Sequence, residues 1–212
     1  MRNVTLIDYG VGNLLSLKMS LEFLGAKVII SKDKNEIINS SHIILPGVGA
    51  FSKAMKKIKD LELDKFLLDA KNKGSNILGI CLGMQILMSE SEEFGITKGL
   101  NFIEGKVVSI SNSKNFKDHI KIPNIGWFNI HQKENIKIQT PIFNGLNSKD
   151  TFYFVHSFMG ISSKKENYLY FANYSGIEIP AIIMDKNVIG CQFHPEKSGK
   201  SGLKLLKIFL TL

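Results

Sequence analysis

Asn76-Ile77-Leu78-Gly79-Ile80-Cys81-Leu82-Gly83-Met84-Gln85 carries the most diagnostic pattern of this chain. An apolar run enters Gly-x-Cys-x-Gly at Cys81, and a helical spacing of Leu82, Ile86 and Leu87 follows. This is the cysteine counterpart of the Gly-x-Ser-x-Gly elbow, a tight strand-to-helix turn that holds a nucleophile in strained backbone. Glycines two residues before and after leave room for the crossing chain. Such a turn puts Cys81 at a helix N-terminus, where free amides and the helix dipole favour a thiolate. The same amides lie close to where an oxyanion would form. A buried structural cysteine between two packing glycines is the competing reading.

Upstream, strand-like and helix-like patterns alternate. Val4–Ile7 is a short apolar run that stops at Asp8-Tyr9-Gly10. Leu14, Leu17, Leu21 and Leu24 follow at helical spacing, and Gly25 marks the helix end. Lys27–Ile30 and Ile43–Leu45 read as strands, and residues 53–71 as one helical stretch. Alternation of this kind predicts parallel βαβ units with both sheet faces covered. Downstream the chain is richer in strands: Gly105–Ile110, Thr151–Val155, Tyr168–Tyr174, Ala181–Met184 and Val188–Phe193, with a hairpin turn at Lys186-Asn187. An amphipathic helix with Leu203, Leu206, Phe209 and Leu210 closes the sequence, starting at Ser198 or Gly199. The expected fold is a single α/β domain over residues 1–212, a central mixed, mostly parallel sheet flanked by helices, with a nucleophile elbow.

An ordinary thiol, with a pKa of about 8.5, is about 3% ionised at pH 7 and needs a base beside it. Of five histidines, His42 opens an apolar strand and reads as structural. His119 and His131 fall in polar, loop-like sequence. His156 ends a strand and could line a cleft. His194 also ends a strand, in Gln192-Phe193-His194-Pro195-Glu196, with a carboxylate two residues on, a spacing at which strand pleating projects both side chains to the same side. A base histidine needs such a partner on its second nitrogen to fix its tautomer. An exposed His-Glu pair at a loop start is the bland alternative. Cys191 lies within an apolar strand without an elbow and reads as structural. Leu45-Pro46-Gly47-Val48-Gly49-Ala50 ends a strand with two glycines, so its amides can approach a substrate. A phosphate loop is disfavoured there, because neither Gly-Lys-Ser/Thr nor a full Gly-x-Gly-x-x-Gly is present.

Composition narrows the classes further. Hydrophobic residues make up 44% of the 212, an ordinary globular share. The net charge of +8 comes from scattered lysines without a basic stripe interleaved with aromatics, so no nucleic-acid partner is expected. No apolar run reaches the length of a membrane span, and no signal-peptide core builds before Asp8; a cytoplasmic protein with no membrane partner is the expectation. Two cysteines without Cys-x-x-Cys or a histidine at ligand spacing argue against a disulfide framework and a zinc site. No metal or other cofactor is called for.

Gly79–Gln85 and His194-Pro195-Glu196 together resemble the class I (triad) glutamine amidotransferases over essentially the whole chain. Within that family, Asp8-Tyr9-Gly10-Val11-Gly12-Asn13, Pro46–Phe51, Gly126-Trp127, Tyr153–Ser157 and His194–Gly199 resemble the glutaminase subunits of imidazole glycerol phosphate synthase, of histidine biosynthesis. The resemblance implies that Cys81 attacks the side-chain carbonyl of glutamine, His194 moves the proton and Glu196 orients His194. It implies oxyanion or glutamine binding by Gly47, Val48, Gly49, Leu82, Gln85, Ser157 and Phe158. It further implies a heterodimer in which ammonia passes to a (β/α)8-barrel synthase subunit, with Asn13, Trp127, Tyr153 and Lys197 near the interface. Three positions depart from that pattern: Asn124 stands where histidine is usual, Phe128 intervenes before Asn129, and Phe158 replaces a usual tyrosine. A paralogue feeding ammonia to a sugar amidotransferase in surface-glycan synthesis stays open on that ground. So do a catalytically silent docking module and a cysteine hydrolase acting on another substrate.

Overall fold

The structure is a computed structural model that describes residues 2–132 and 140–212. In chain order its strands are β1 (Asn3–Ile7), β2 (Lys27–Ser31), β3 (His42–Leu45), β4 (Asn76–Ile80), β5 (Met88–Ser91), β6 (Thr97–Lys98), β7 (Ile103–Ser109), β8 (Asn124–His131), β9 (Thr151–His156), β10 (Phe158–Ser162), β11 (Tyr168–Tyr174), β12 (Ile177–Asp185) and β13 (Val188–Cys191). The helices are α1 (Leu14–Phe23), α2 (Lys34–Ile38), α3 (Phe51–Asp60), α4 (Leu63–Asn72), α5 (Leu82–Ile86), α6 (Pro141–Gly145) and α7 (Gly199–Phe209).

A large sheet runs in the order β2-β1-β3-β4-β13-β12-β11-β8-β9. It is mixed, as expected. Pairing is parallel from β2 through β13 and antiparallel beyond, so the mostly parallel character belongs to the half that carries the elbow. Successive residues of the buried strands face opposite sides, and this divides the core in two. Leu6, Ile44, Leu78 and Ile189 pack with Leu17 and Leu21 of α1 and Leu205, Leu206 and Phe209 of α7. Ile7, Ile43, Ile77 and Val188 pack on the other face with Phe51, Met55 and Ile58 of α3 and Leu63 and Leu67 of α4. Each such Leu or Ile contributes about 1.5–3 kcal/mol relative to exposure, so covering both faces is what holds the strands.

The sequence reading and the structure part at identifiable places. Residues 53–71 form two helices, because the backbone turns left-handed at Glu62 (φ 54°) between α3 and α4. A second sheet, β10-β7-β5-β6, lies beside the large one. His131 belongs to β8, not to a loop. That strand hides from a periodicity reading because only its ends, Asn124 and Ile130, are buried. Hairpin β12–β13 turns at Lys186, also left-handed (φ 54°), as the sequence suggests.

One register matters most for function. Leu45 of β3 lies beside Gly79 of β4, and Gly190 and Cys191 of β13 beside Gly79 and Ile80. Three parallel strands therefore end side by side, and the segments after them, starting at Pro46, Cys81 and Gln192, emerge at one sheet edge. Ligands of open α/β sheets bind beyond such carboxyl ends. The elbow fits there only through its glycines. A Cβ on Gly83 would stand 1.8 Å from the Leu45 carbonyl oxygen, and one on Gly79 would stand 2.7 Å from the Gly83 backbone. Gly83→Ala should therefore destabilise the fold by about 3 kcal/mol or more, by forcing β3 and α5 apart. Chemical denaturation measures this; a variant as stable as its parent contradicts the packing described.

Candidate active site

Cys81 links β4 to α5 with φ 53° and ψ −108°, a conformation that costs a non-glycine residue about 1–3 kcal/mol and persists only when its surroundings impose it. The two backbone contacts at Gly79 and Gly83 impose it here. The side chain is 7% exposed. Helix α5 has only five residues, so the expected dipole is small. The Cys81 side chain makes no capping hydrogen bond to the first turn of α5, where a helix leaves its amides without backbone acceptors.

His194 and Glu196 stand behind the sulfur. The imidazole Nδ1 lies 2.9 Å from Glu196 Oε1, and both side chains are almost wholly buried. Their proximity does not come from strand pleating, as the sequence spacing suggested. Strand β13 ends at Cys191, and Pro195–Lys197 form a 3-10 turn that folds the carboxylate back onto the ring. Ser198 locks this turn: its hydroxyl donates to the His194 carbonyl and accepts from the Tyr153 amide of β9. His194 Nε2 is buried and makes no hydrogen bond among the described residues, which leaves it free to address Cys81. Burial disfavours the imidazolium, but hydrogen bonds to and the charges of Cys81 and Glu196 outweigh it, raising the His194 pKa to about 9. Cys191 is fully buried, and burial first, then the charges of Glu196 and Cys81, push its thiol well up; it is the poorer nucleophile of the two.

Cys81 and His194 open on a cleft of about 450 Å³, within the size range of small-molecule sites. Of the residues that the sequence reading placed in oxyanion or glutamine binding, Val48, Gly49, Leu82, Gln85, Ser157 and Phe158 line it. Gly47 sits just behind, where a Cβ would stand 2.6 Å from the Tyr9 hydroxyl and 2.9 Å from Leu82 Cβ. The segment is pinned at both ends. Tyr9 donates a hydrogen bond to the Pro46 carbonyl, and Glu93 Oε2 accepts one from the Phe51 amide at 2.6 Å. Between these anchors Val48 is 47% exposed and Gly49 adopts φ 101°.

Glu93, Phe94 and Val155 also line the cleft and escaped the sequence reading. Glu93 lies in Ser89-Glu90-Ser91-Glu92-Glu93, an acidic run that looks like solvated surface. Only the second sheet, which brings the end of β5 over the elbow, gives it a role. His156 lines the cleft as anticipated, whereas His42 is buried at the opposite end of β3, edge-on to Phe209. Among the expected partner-facing residues, Trp127 and Tyr153 have ring centroids 5.8 Å apart, and Lys197 Nζ stands 5.8 Å from the Tyr153 ring. Trp127 is 56% exposed. Asn13 caps α1 through the Ser16 amide, and α1 packs against the Pro195–Lys197 turn. Asn124 is fully buried, so this departure from the family pattern is internal. Among the described residues no group of His, Cys, Asp or Glu is arranged to hold a metal ion, and no helix is long and apolar enough to cross a membrane.

Comparison with known proteins agrees with this layout. The family model for glutamine amidotransferase class-I matches residues 5–211. The chain is 41% identical to the imidazole glycerol phosphate synthase subunit HisH of Caldanaerobacter subterraneus subsp. tengcongensis, covering 97% of this chain and 96% of that one. It is 42% identical to the subunit of the same name from Methanosarcina barkeri, with both chains covered fully. Among solved structures it resembles PurLQS from Thermotoga maritima (TM-score 0.67, 22% identity, 99% of this chain and 98% of that one). It also resembles the CTPS glutaminase domain of Trypanosoma brucei (TM-score 0.62, 12% identity, 100% and 92%). At those identities the structures speak for the fold, and the family match and the full-length relatives for descent: the chain belongs to the class I glutamine amidotransferases.

Proposed function

We propose that this chain is the glutaminase subunit of an imidazole glycerol phosphate synthase, hydrolysing glutamine to glutamate and handing ammonia to a (β/α)8-barrel synthase subunit. The observation that carries the chemistry is the buried sequence Glu196 Oε1, His194 Nδ1, His194 Nε2 and Cys81 at the carboxyl ends of β4 and β13. The relatives of about 40% identity over full length carry the pathway.

In this reading Cys81 attacks the side-chain carbonyl carbon of glutamine as a thiolate. The carbonyl oxygen becomes an oxyanion, held by the Leu82 amide and an amide of the Val48–Gly49 peptide. The His194 imidazolium gives its proton to the departing nitrogen, ammonia leaves, and a thioester remains. Neutral His194 then takes a proton from water as it attacks the thioester, and glutamate departs with the thiolate restored. Gln85, Ser157 and Phe158 border the substrate. Glu93 is the cleft carboxylate available to a substrate ammonium group. The cluster of Trp127, Tyr153 and Lys197, with Asn13 at the start of α1, is the surface assigned to the barrel subunit. Delivery through that interface keeps ammonia from protonation in bulk water. Because Asn124 is buried, its departure from the family pattern does not change this surface, which weakens the case for a sugar-amidotransferase partner.

Four outcomes are expected. In complex with its synthase subunit, Cys81→Ala should lower glutamine-dependent ammonia release at least about a thousandfold while its circular dichroism stays that of the parent; retained hydrolysis removes Cys81 as nucleophile. The same variant should lower the NMR titration midpoint of His194, because the thiolate that helps hold the imidazolium to about pH 9 is gone while burial persists. By the same sign, parent activity should fall as pH rises through that value and the acid that protonates the leaving group is lost. Glu93→Gln should raise KM for glutamine about tenfold or more with a smaller effect on kcat; an unchanged KM removes Glu93 from substrate binding.

A further inference from the structure

Behind the nucleophile the buried polar atoms form one connected path, and its direction is set by a group that can only accept. The Phe158 carbonyl receives His156 Nδ1 at 2.9 Å and Gln85 Nε2 at 2.9 Å. A carbonyl offers no proton, so His156 must carry its proton on Nδ1, and Gln85 must turn its nitrogen toward Phe158. Each assignment propagates. With Nδ1 protonated and the ring neutral, His156 Nε2 is an acceptor, and it takes a hydrogen bond from Asn124 Nδ2 at 2.9 Å. Burial, and secondarily the charge of His194, lower the His156 pKa to about 4, so the ring stays neutral beside the cleft. On the other branch, the second N–H of Gln85 reaches Gln192 Oε1 at 3.3 Å. With its oxygen engaged there, Gln192 presents its nitrogen to the Cys81 sulfur, 3.8 Å away. Gln192 is completely buried, so no water competes for that amide.

We propose that Gln192 is a further residue of the reaction: its side-chain N–H donates to the Cys81 sulfur and stabilises the thiolate alongside His194. Gln85 positions that amide, and His156, which shares the Phe158 carbonyl, and Asn124 complete the network that fixes its direction. The proposal rests on Cys81 being the nucleophile. It also gives the buried asparagine a task, since Asn124 supplies the donor that the unprotonated nitrogen of His156 requires. A hydrogen bond to an ionised acceptor is about twice as strong as one between neutral groups, so the amide favours thiolate over thiol.

The test is the pH dependence of Cys81 alkylation by iodoacetamide in the full-length chain, followed by mass spectrometry of the Cys81 peptide. The groups around the sulfur are Tyr9 just beyond β1, Cys191 at the end of β13, His194 and Glu196 in the turn beyond it, His156 from β9 and Glu93 across the cleft. All of them remain in Gln192→Met, which keeps the side-chain length and removes the donor. The alkylation midpoint should rise by about one pH unit in this variant. An unchanged midpoint in a folded variant overturns the proposal. A measurement on the parent chain, which carries no folding risk, decides independently. With glutamine residues labelled with nitrogen-15, the Gln192 side-chain amide resonance should titrate with the midpoint of Cys81 alkylation; an amide that does not shift across it overturns the proposal. Failure of the underlying reading looks different, because Cys81→Ala would then leave glutamine-dependent ammonia release in the complex unchanged.

Discussion

The sulfur of Cys81 is where it is because two stretches of backbone cross too closely to admit a side chain between them. The Leu45 carbonyl occupies the space a Cβ on Gly83 would need, and Gly83 in turn occupies the space of a Cβ on Gly79. Strand β4 therefore cannot run on past Ile80 as extended chain beside β3, nor can α5 start further away. The turn has to be made in one residue, and that residue is driven to φ 53°. Strain of this order is small against the apolar burial on both faces of the sheet. The sheet core holds it, and the same contacts that hold it aim the thiol into the cleft.

The second requirement is electrostatic. An imidazole and a carboxylate buried side by side are expensive to desolvate, and a charged pair of this kind is poor evidence for stability. Its geometry makes sense as chemistry. Glu196 reaches the ring only because Pro195–Lys197 form a 3-10 turn, and Ser198 ties that turn to β9. Burial alone would make His194 a weaker base than a free histidine; the groups on either side reverse that. The result is a proton held next to the sulfur near neutral pH and available for a leaving group. His156 shows the contrast within one cleft: buried without an acid beside it, it stays neutral.

The parts of this arrangement that rest on local rules were legible in the sequence. Short apolar runs gave β1 to β4 within a residue or two, Gly25 marked the end of α1, and the glycine spacing around Cys81 announced the elbow. The His194 and Glu196 pairing was visible as residue types, though the mechanism assigned to it, strand pleating, was not the one the chain uses. What periodicity could not supply were features set by distant partners. Nothing local in the lysine-rich stretch of α3 and α4 signals a left-handed Glu62. The second sheet pairs β7, which reads as a strand, with β5 and β6, which are too short or too polar to look like strands, and with them goes Glu93, hidden in an acidic run. Gln192 was read only as part of an apolar strand, because its meaning depends on Gln85, more than a hundred residues earlier.

In the proposed chemistry one sulfur, made nucleophilic by one imidazole, forms a covalent bond to the side-chain carbonyl carbon of glutamine. Reaction of the assembled enzyme with an electrophilic diazoketone analogue of glutamine, followed by peptide mass spectrometry, tests this most directly. A single adduct is expected on the peptide containing Cys81, formed slowly or not at all when His194 is replaced by alanine, and prevented by excess glutamine. An adduct on Cys191, or labelling of Cys81 at the same rate without His194, would contradict it.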